Sequence, residues 1–286
     1  MTARGEPSRL TSIVMIEKLY IGTSGYSYPE WVDAGFYPPG TSGKVMLESY
    51  AKRFAAVELN YTWYQMPRPN AIERLAIRAP QGFVYTAKLT RTMTHEIDPG
   101  GWRTQVKQYR EGITPLVLDR RLLAILIQLG PRFGRTVENR KYLARLLDEL
   151  AALPLAVEFR NRSWADDRVF AGLEHRRVSL VAVDAPDVNA MFPRLDVVTN
   201  PDLFYVRMHG RNAGGWGSGN KQLQFDYDYT EKDLALWSRD LIPRMADRAK
   251  TGVVFFNNHV RGQAPRNARL LTDQLEAEGF SPVTCG

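Results

Sequence analysis

The chain has 286 residues, 44% hydrophobic and 24% charged, with a formal charge of +7 and a pI near 9.5. This is an ordinary globular composition, and no apolar run approaches the roughly 18 residues that span a bilayer. The basic balance favours an anionic partner, whether phosphate ester, nucleotide or nucleic acid. Basic stretches such as RRVSL are scattered, which equally fits a solvated surface, and no run of five like charges forms a basic tail.

Residues 1–17 are polar and mixed, without the apolar core or cleavage site of a signal peptide. Met15 opens MIEKLYIGTS, so residues 1–14 read as a disordered extension or a misplaced start. One domain is expected over residues 18–286. Eight short apolar runs follow: LYIGTS (19–24), AAVELN (55–60), FVYTAK (83–88), AILIQL (124–129), LAVEFR (155–160), LVAVD (180–184), FYVRMH (204–209) and VVFFNN (253–258). Runs rich in β-branched and aromatic residues read as buried strands. Between them lie helical patterns. ENRKYLARLLDELAAL sets Leu143, Leu146, Leu147 and Leu150 on one face, and Thr230 caps TEKDLALWSRDLIPRM with Leu234, Trp237, Leu241 and Met245 on one stripe. Pro243 should kink or shorten that helix. Residues 264–277 give a last helix with Leu270, Leu271 and Leu275 inward. Strand and helix alternating eight times predict an α/β fold, a single (β/α)8 TIM barrel. Long loops should follow strand one (24–43) and strand seven (210–229), and 185–202, with Pro186, Pro193 and Pro201, should be irregular.

Each run carries a polar residue at or next to its end, and in this fold the C-terminal strand ends form the mouth that carries chemistry. The candidate catalytic residues are Glu58, Lys88, Glu158, Asp184 and His209. The candidate substrate contacts are Ser24, Tyr26, Asn60, Tyr64, Gln128, Arg160, Arg207, Arg211, Asn257 and Asn258. Glu58 with Asn60, Glu158 with Arg160, and Arg207 with His209 share strand parity, so each pair faces one way. Paired carboxylates can divide acid and base roles. A structural ion-pair plug is the competing account. No cofactor is expected. The carboxylates with His209 would admit a divalent metal, but the neighbouring cations can satisfy them without one, and only four histidines exist. Glycines 210, 214, 215, 217 and 219 with Arg211, and NNHVRGQAPRNA with Arg261 and Gly262, suggest an anion site in the loops after strands seven and eight. Aromatics crowd the same loops and would either stack on a base or pack the rim. Trp31 and Trp164 are the expected packers.

The single cysteine, Cys285, offers no internal disulfide, which fits a cytoplasmic protein. The motifs IGTSGYSYPEWV with FYP, YAKRFAAVELNYTWY, GFVYTAKLTRTMTH, QLGPRF, AVEFRNRSW, YVRMHGR with a following W and YDY, and FNNHVRGQAPRNA span residues 20 to about 270. With them the chain resembles the YecE-like family, domain of unknown function 72. Departures are small: QLGP stands where the family pattern has QLPP, and Asn161 where a histidine is frequent. The resemblance implies a TIM barrel and a cytoplasmic, bacterial-type protein, and it carries over no activity. The residues themselves suggest an enzyme (a hydrolase, lyase or isomerase) using acid–base chemistry on a phosphorylated or nucleotide-like substrate. The alternative is a non-catalytic binder of nucleotide or single-stranded nucleic acid. No membrane contact is expected, and the chain should be a monomer or weak oligomer.

Overall fold

The computed structural model describes residues 16–188, 190–216 and 218–284. The expected extension up to residue 15, Gly217 and Cys285 lie outside the described residues. Ile16 already packs on the core, and the Glu17 N–H donates to the Lys250 carbonyl at 2.7 Å, so residues 16 and 17 join the barrel ahead of the expected boundary at residue 18.

Eight parallel strands close into one barrel in sequence order: β1 (Lys18–Ser24), β2 (Ala56–Leu59), β3 (Val84–Lys88), β4 (Leu122–Gln128), β5 (Leu155–Glu158), β6 (Ser179–Asp184), β7 (Leu203–Met208) and β8 (Thr251–Phe256). Each lies on one of the expected runs. The helices are α1 (Glu30–Asp33), α2 (Met46–Ala51), α3 (Tyr61–Tyr64), α4 (Pro69–Ile77), α5 (Trp102–Leu118), α6 (Val137–Leu150), α7 (Asp167–Arg176), α8 (Lys221–Gln224), α9 (Glu231–Leu236), α10 (Ile242–Ala246) and α11 (Gln263–Ala277). The stretch 185–202 carries no helix among the described residues, as its prolines suggest.

Both faces of the sheet are buried, so the strands read as continuous apolar runs. Tyr20, Ala56, Val84, Leu126, Ala156, Val181, Tyr205 and Val253 belong to one buried cluster that fills the barrel interior. Their neighbours in sequence, such as Ile21, Val57, Tyr85 and Val206, belong to the cluster under the helices. The interior residues fix the parity of every strand. Two residues further along, the same inward row turns polar on β2, β3, β4, β5 and β7, with Glu58, Thr86, Gln128, Glu158 and Arg207, and stays apolar on β6 and β8 with Val183 and Phe255.

The helices follow their patterns. Leu143, Leu146, Leu147 and Leu150 are the buried residues of α6, which Thr136 caps. Thr230 and Asp233 form a capping box at α9. Around the proline the helix changes character: residues Trp237–Leu241 open into a π-helical stretch, and Pro243 follows at the start of α10. A first-turn proline sacrifices no needed donor, so the helix runs on to Ala246. After β7 the chain reverses at Gly210, whose φ of +86° suits glycine and whose added Cβ would meet the Tyr227 Cβ at 2.6 Å.

Candidate active site

Arg207 stands at the centre of the mouth, wholly buried on β7. Its Nη2 donates to Glu58 Oε1 at 2.7 Å and its Nη1 to Glu158 Oε2 at 2.5 Å. Nη1 also reaches Gln128 Oε1 at 3.2 Å, and Nη2 lies 3.4 Å from Ser24 Oγ. The second Glu58 oxygen accepts from the Tyr205 hydroxyl at 2.6 Å, which in turn sits 2.8 Å from Thr86 Oγ1. Glu158 also pairs with Arg160 and with His209 Nε2, the latter at 3.2 Å. Arg160 Nη2 is 2.9 Å from that same nitrogen, and Asn257 Nδ2 is 3.0 Å from His209 Nδ1. Thus Glu58, Gln128, Glu158, Arg160, Arg207, His209 and Asn257, expected together from strand ends, form one hydrogen-bonded network. The isolated charges would be too costly to bury, and pairing is what makes the layer tolerable.

The network sets protonation. Burial would raise the Glu158 carboxyl, but Arg160 and Arg207 hold it well below the usual carboxylate range. Burial and the adjacent Arg160 keep His209 neutral, well below its ordinary value. Lys88 behaves differently. Its Nζ donates to Gln128 Oε1 at 2.9 Å and lies 5.6 Å from the centre of the Trp63 ring. Burial and the nearby Arg207 pull its ammonium down to about 7, against the partial opposition of Glu58 and Glu158. Its side chain is only half-buried, so it is the part of this layer that opens to the mouth.

That shift predicts a stability profile. Between pH 7 and about 10.4 an unfolded Lys88 holds a proton that the folded one releases, so stability rises with pH across this window. Below 7 the penalty is fully present. Lys88→Met removes it, and should gain roughly 1–2 kcal/mol relative to wild type on going from pH 10 to pH 7, after discounting for solvent screening. Urea unfolding at both pH values measures this. The same difference between the two proteins at pH 7 and 10 would contradict it.

Above the charged layer stands an aromatic rim. Trp216 lies 6.2 Å from the His209 ring and stacks beneath the Arg160 guanidinium at 5.1 Å. Phe225 is 6.0 Å from both His209 and His259, and His259 stacks on Tyr28 at 4.8 Å. Trp63 holds the Lys88 side, 5.2 Å from His95 and edge-on to the exposed Tyr64. Asn60 Oδ1 and Trp216 Nε1 are buried here without hydrogen-bond partners. Trp31 and Trp164 are packers as expected: each is buried, and their indole N–H groups donate to the His259 and Phe133 carbonyls.

Four of the expected site residues lie elsewhere. Asp184 is buried on β6, but Val181 and Val183 take the interior parity, so its carboxylate points outward, under the loop 210–229. There it accepts from Arg211 Nε and Nη2, both at 2.8 Å, from Tyr229 at 2.9 Å and from Trp237 Nε1 at 2.7 Å. Arg211 is consequently spent on Asp184 and, at 3.2 Å, on Asp233. The Gly210 N–H is committed to the Tyr229 hydroxyl at 2.8 Å, and Arg261 to Asp226 at 2.6 Å. The donors expected to make an anion site in these loops are therefore already engaged. Asn258 is buried and ties Tyr227 to Asn267. Tyr26 packs 6.2 Å from Tyr50, toward α2. Conversely, Tyr205 is a network member not singled out in the sequence, although its position two residues before Arg207 carries the parity signal. Among the described residues no group of three His, Cys, Asp or Glu is placed to hold a metal. No helix among them is long and apolar enough to cross a membrane.

Comparison with known proteins places this arrangement. The family model "Protein of unknown function DUF72" matches residues 20–284. The UPF0759 protein YunF of Bacillus subtilis is 26% identical over 280 residues, 92% of this chain and 98% of its own length. The UPF0759 protein YecE of Escherichia coli K12 is 26% identical over 189 residues, 63% of this chain and 64% of its own. The crystal structure of a DUF72 family protein from Thermotoga maritima is 30% identical, covers 91% of this chain and 99% of that one, and superposes with a TM-score of 0.82. One from Enterococcus faecalis, 26% identical, also reaches a TM-score of 0.82 over 94% and 98% of the two chains. With a match that takes in all eight strands and every residue of the charged layer, the chain belongs to the DUF72 family.

Proposed function

We propose that the charged mouth is the active site of an enzyme performing acid–base chemistry on a small anionic substrate, phosphorylated or nucleotide-like. The observation that carries this is Lys88, brought to about 7 at the open side of the layer. A group that titrates near the working pH is suited to general acid–base transfer. Glu158 stays ionised and orients Arg160 and His209, while Glu58 and Arg207 brace the layer from below. Substrate charge would be met first by Lys88, with Arg160, itself paired with Glu158, adding positive potential beside it. The unpartnered Asn60 Oδ1 and Trp216 Nε1 supply a directed acceptor and donor at the rim. A hydrolase, lyase or isomerase reaction fits these groups.

The test follows from charge. Below pH 7 the Lys88 ammonium adds a positive charge to the mouth, so phosphate and nucleoside monophosphates should bind roughly three- to tenfold tighter at pH 6 than at pH 8, once the ligand's own ionisation is allowed for. Lys88→Met should flatten that dependence and Arg160→Gln should weaken binding at both pH values. Titration calorimetry reads each of these. Binding in Lys88→Met and Arg160→Gln equal to wild type at both pH values would remove the reading. The aromatic rim favours a second reading, a non-catalytic binder that stacks nucleotide bases on Trp63 and Trp216. Such a binder would lose affinity for single-stranded oligonucleotides steeply with salt and turn nothing over.

A further inference from the structure

The arginines of the mouth take all of its carboxylates. Arg207 holds Glu58 and Glu158, and Arg160 shares Glu158. Among the described residues no carboxylate pairs with Lys88, which has instead the neutral Gln128 amide oxygen and the face of Trp63. Gln128 Oε1 also receives Arg207 Nη1 at 3.2 Å, so Lys88 shares its one anchor with a permanent cation. The facing charged groups are Arg207, Glu58, Glu158 and Arg160, with His95 beside them. His95 is itself lowered by burial and by the Lys88 charge, so it stands as a neutral ring on the same rim.

The backbone at this point is unusually well held. The Lys88 carbonyl accepts from the Thr62 hydroxyl at 2.7 Å and from the Tyr109 hydroxyl at 2.9 Å. The Leu89 N–H donates to the Leu126 carbonyl at 2.9 Å. Burial at this strand end, a neighbouring cation and no paired carboxylate together disfavour the ammonium and favour the free amine. Amines activated in this way condense with carbonyl compounds.

We infer that Lys88 is an amine nucleophile that forms a Schiff base with an aldehyde or ketone bearing a carboxylate or phosphate group. The Lys88 nitrogen pair adds to the carbonyl carbon, the C=O π pair moves to oxygen, and that oxygen takes the proton the nitrogen sheds. The carbinolamine then expels its hydroxyl as water after protonation and leaves an imine. Amine and carbonyl give imine and water, with no oxidant or reductant. Arg160, held over Trp216, is placed to receive the anionic group. This rests on the mouth being the active site and adds to it the carbonyl class of substrate.

The probe is glyoxylate, a small aldehyde carrying a carboxylate. The whole protein is incubated with it at pH 7 and reduced with sodium borohydride, and the modified lysines are mapped by peptide mass spectrometry. An ordinary lysine is roughly 0.04% free amine at pH 7 and Lys88 about half, so Lys88 should be trapped at least about tenfold more than exposed Lys52, Lys107 and Lys141. Arg160→Gln should reduce the excess more with glyoxylate than with acetaldehyde, which has no anion to place and feels only the loss of the Arg160 charge near the Lys88 ammonium. Trapping of Lys88 no greater than that of the exposed lysines overturns the inference. If that protein still binds phosphate with the pH dependence described above, only the carbonyl chemistry falls and the acid–base site stands.

Discussion

Arg207→Met should cost the fold about 4 kcal/mol or more, because it strands two buried carboxylates at once. Glu158 keeps Arg160, but Glu58 is left with the Tyr205 hydroxyl alone. Methionine fills much of the volume, so the loss is electrostatic rather than a cavity. The stranded carboxyl of the variant should then take up a proton on folding. Protonation relieves it, so the deficit relative to wild type should be larger at pH 8 than at pH 5. Adding Glu58→Gln to Arg207→Met should recover part of the loss by removing the uncompensated charge. Chemical denaturation of the single and double variants at both pH values gives the cycle. An Arg207→Met protein within about 0.5 kcal/mol of wild type would mean that the mouth is solvated and its ion pairs are loose.

The barrel is legible in the sequence because its strands are buried on both faces and its helices on one. The two periodicities separate cleanly, and a polar residue stands at or next to the end of each strand. The same property hides parity. LVAVD is apolar at every position before Asp184, with Leu180 and Ala182 under the helices and Val181 and Val183 inside the barrel. Hydrophobicity alone therefore cannot tell which way Asp184 faces. Glu58, Glu158 and Arg207 are easier, because each has a same-parity partner two residues on that is also polar. Lys88 is visible as a strand-end cation, but its lack of a paired carboxylate follows from two arginines at other strand ends, Arg160 and Arg207. The anion site expected around Gly210 fails for a related reason. Its donors are engaged by Tyr229, Asp184 and Asp226, partners 19 to 35 residues away along the chain. Glycine content signals room for a ligand and equally signals a tight turn.

Asp184→Asn tests that distinction directly. The carboxylate accepts from four donor groups: two on Arg211, the Tyr229 hydroxyl and the Trp237 indole. The Asn amide must turn an NH2 toward at least one of these donors, leaving Arg211 half-satisfied and one buried N–H or O–H unpaired. The expected cost is about 3 kcal/mol, within the range for breaking a buried charge pair from one side. The damage should be local as well as global. Tyr229 also accepts the Gly210 N–H, and Arg211 ties down Asp233 at the cap of α9, so both ends of the segment after β7 are tied to this carboxylate. Protease should cut the variant first within 210–229, at rates well above wild type and before global unfolding. Binding of anions at Lys88 and Arg160 should weaken only severalfold, through loss of the Trp216 wall rather than loss of a contact. Were Asp184 instead a reacting group of the mouth, Asp184→Asn would keep wild-type stability and protease resistance while abolishing turnover. The outward parity of β6 argues for the first outcome, and the two are told apart by measuring unfolding and proteolysis before any substrate is known.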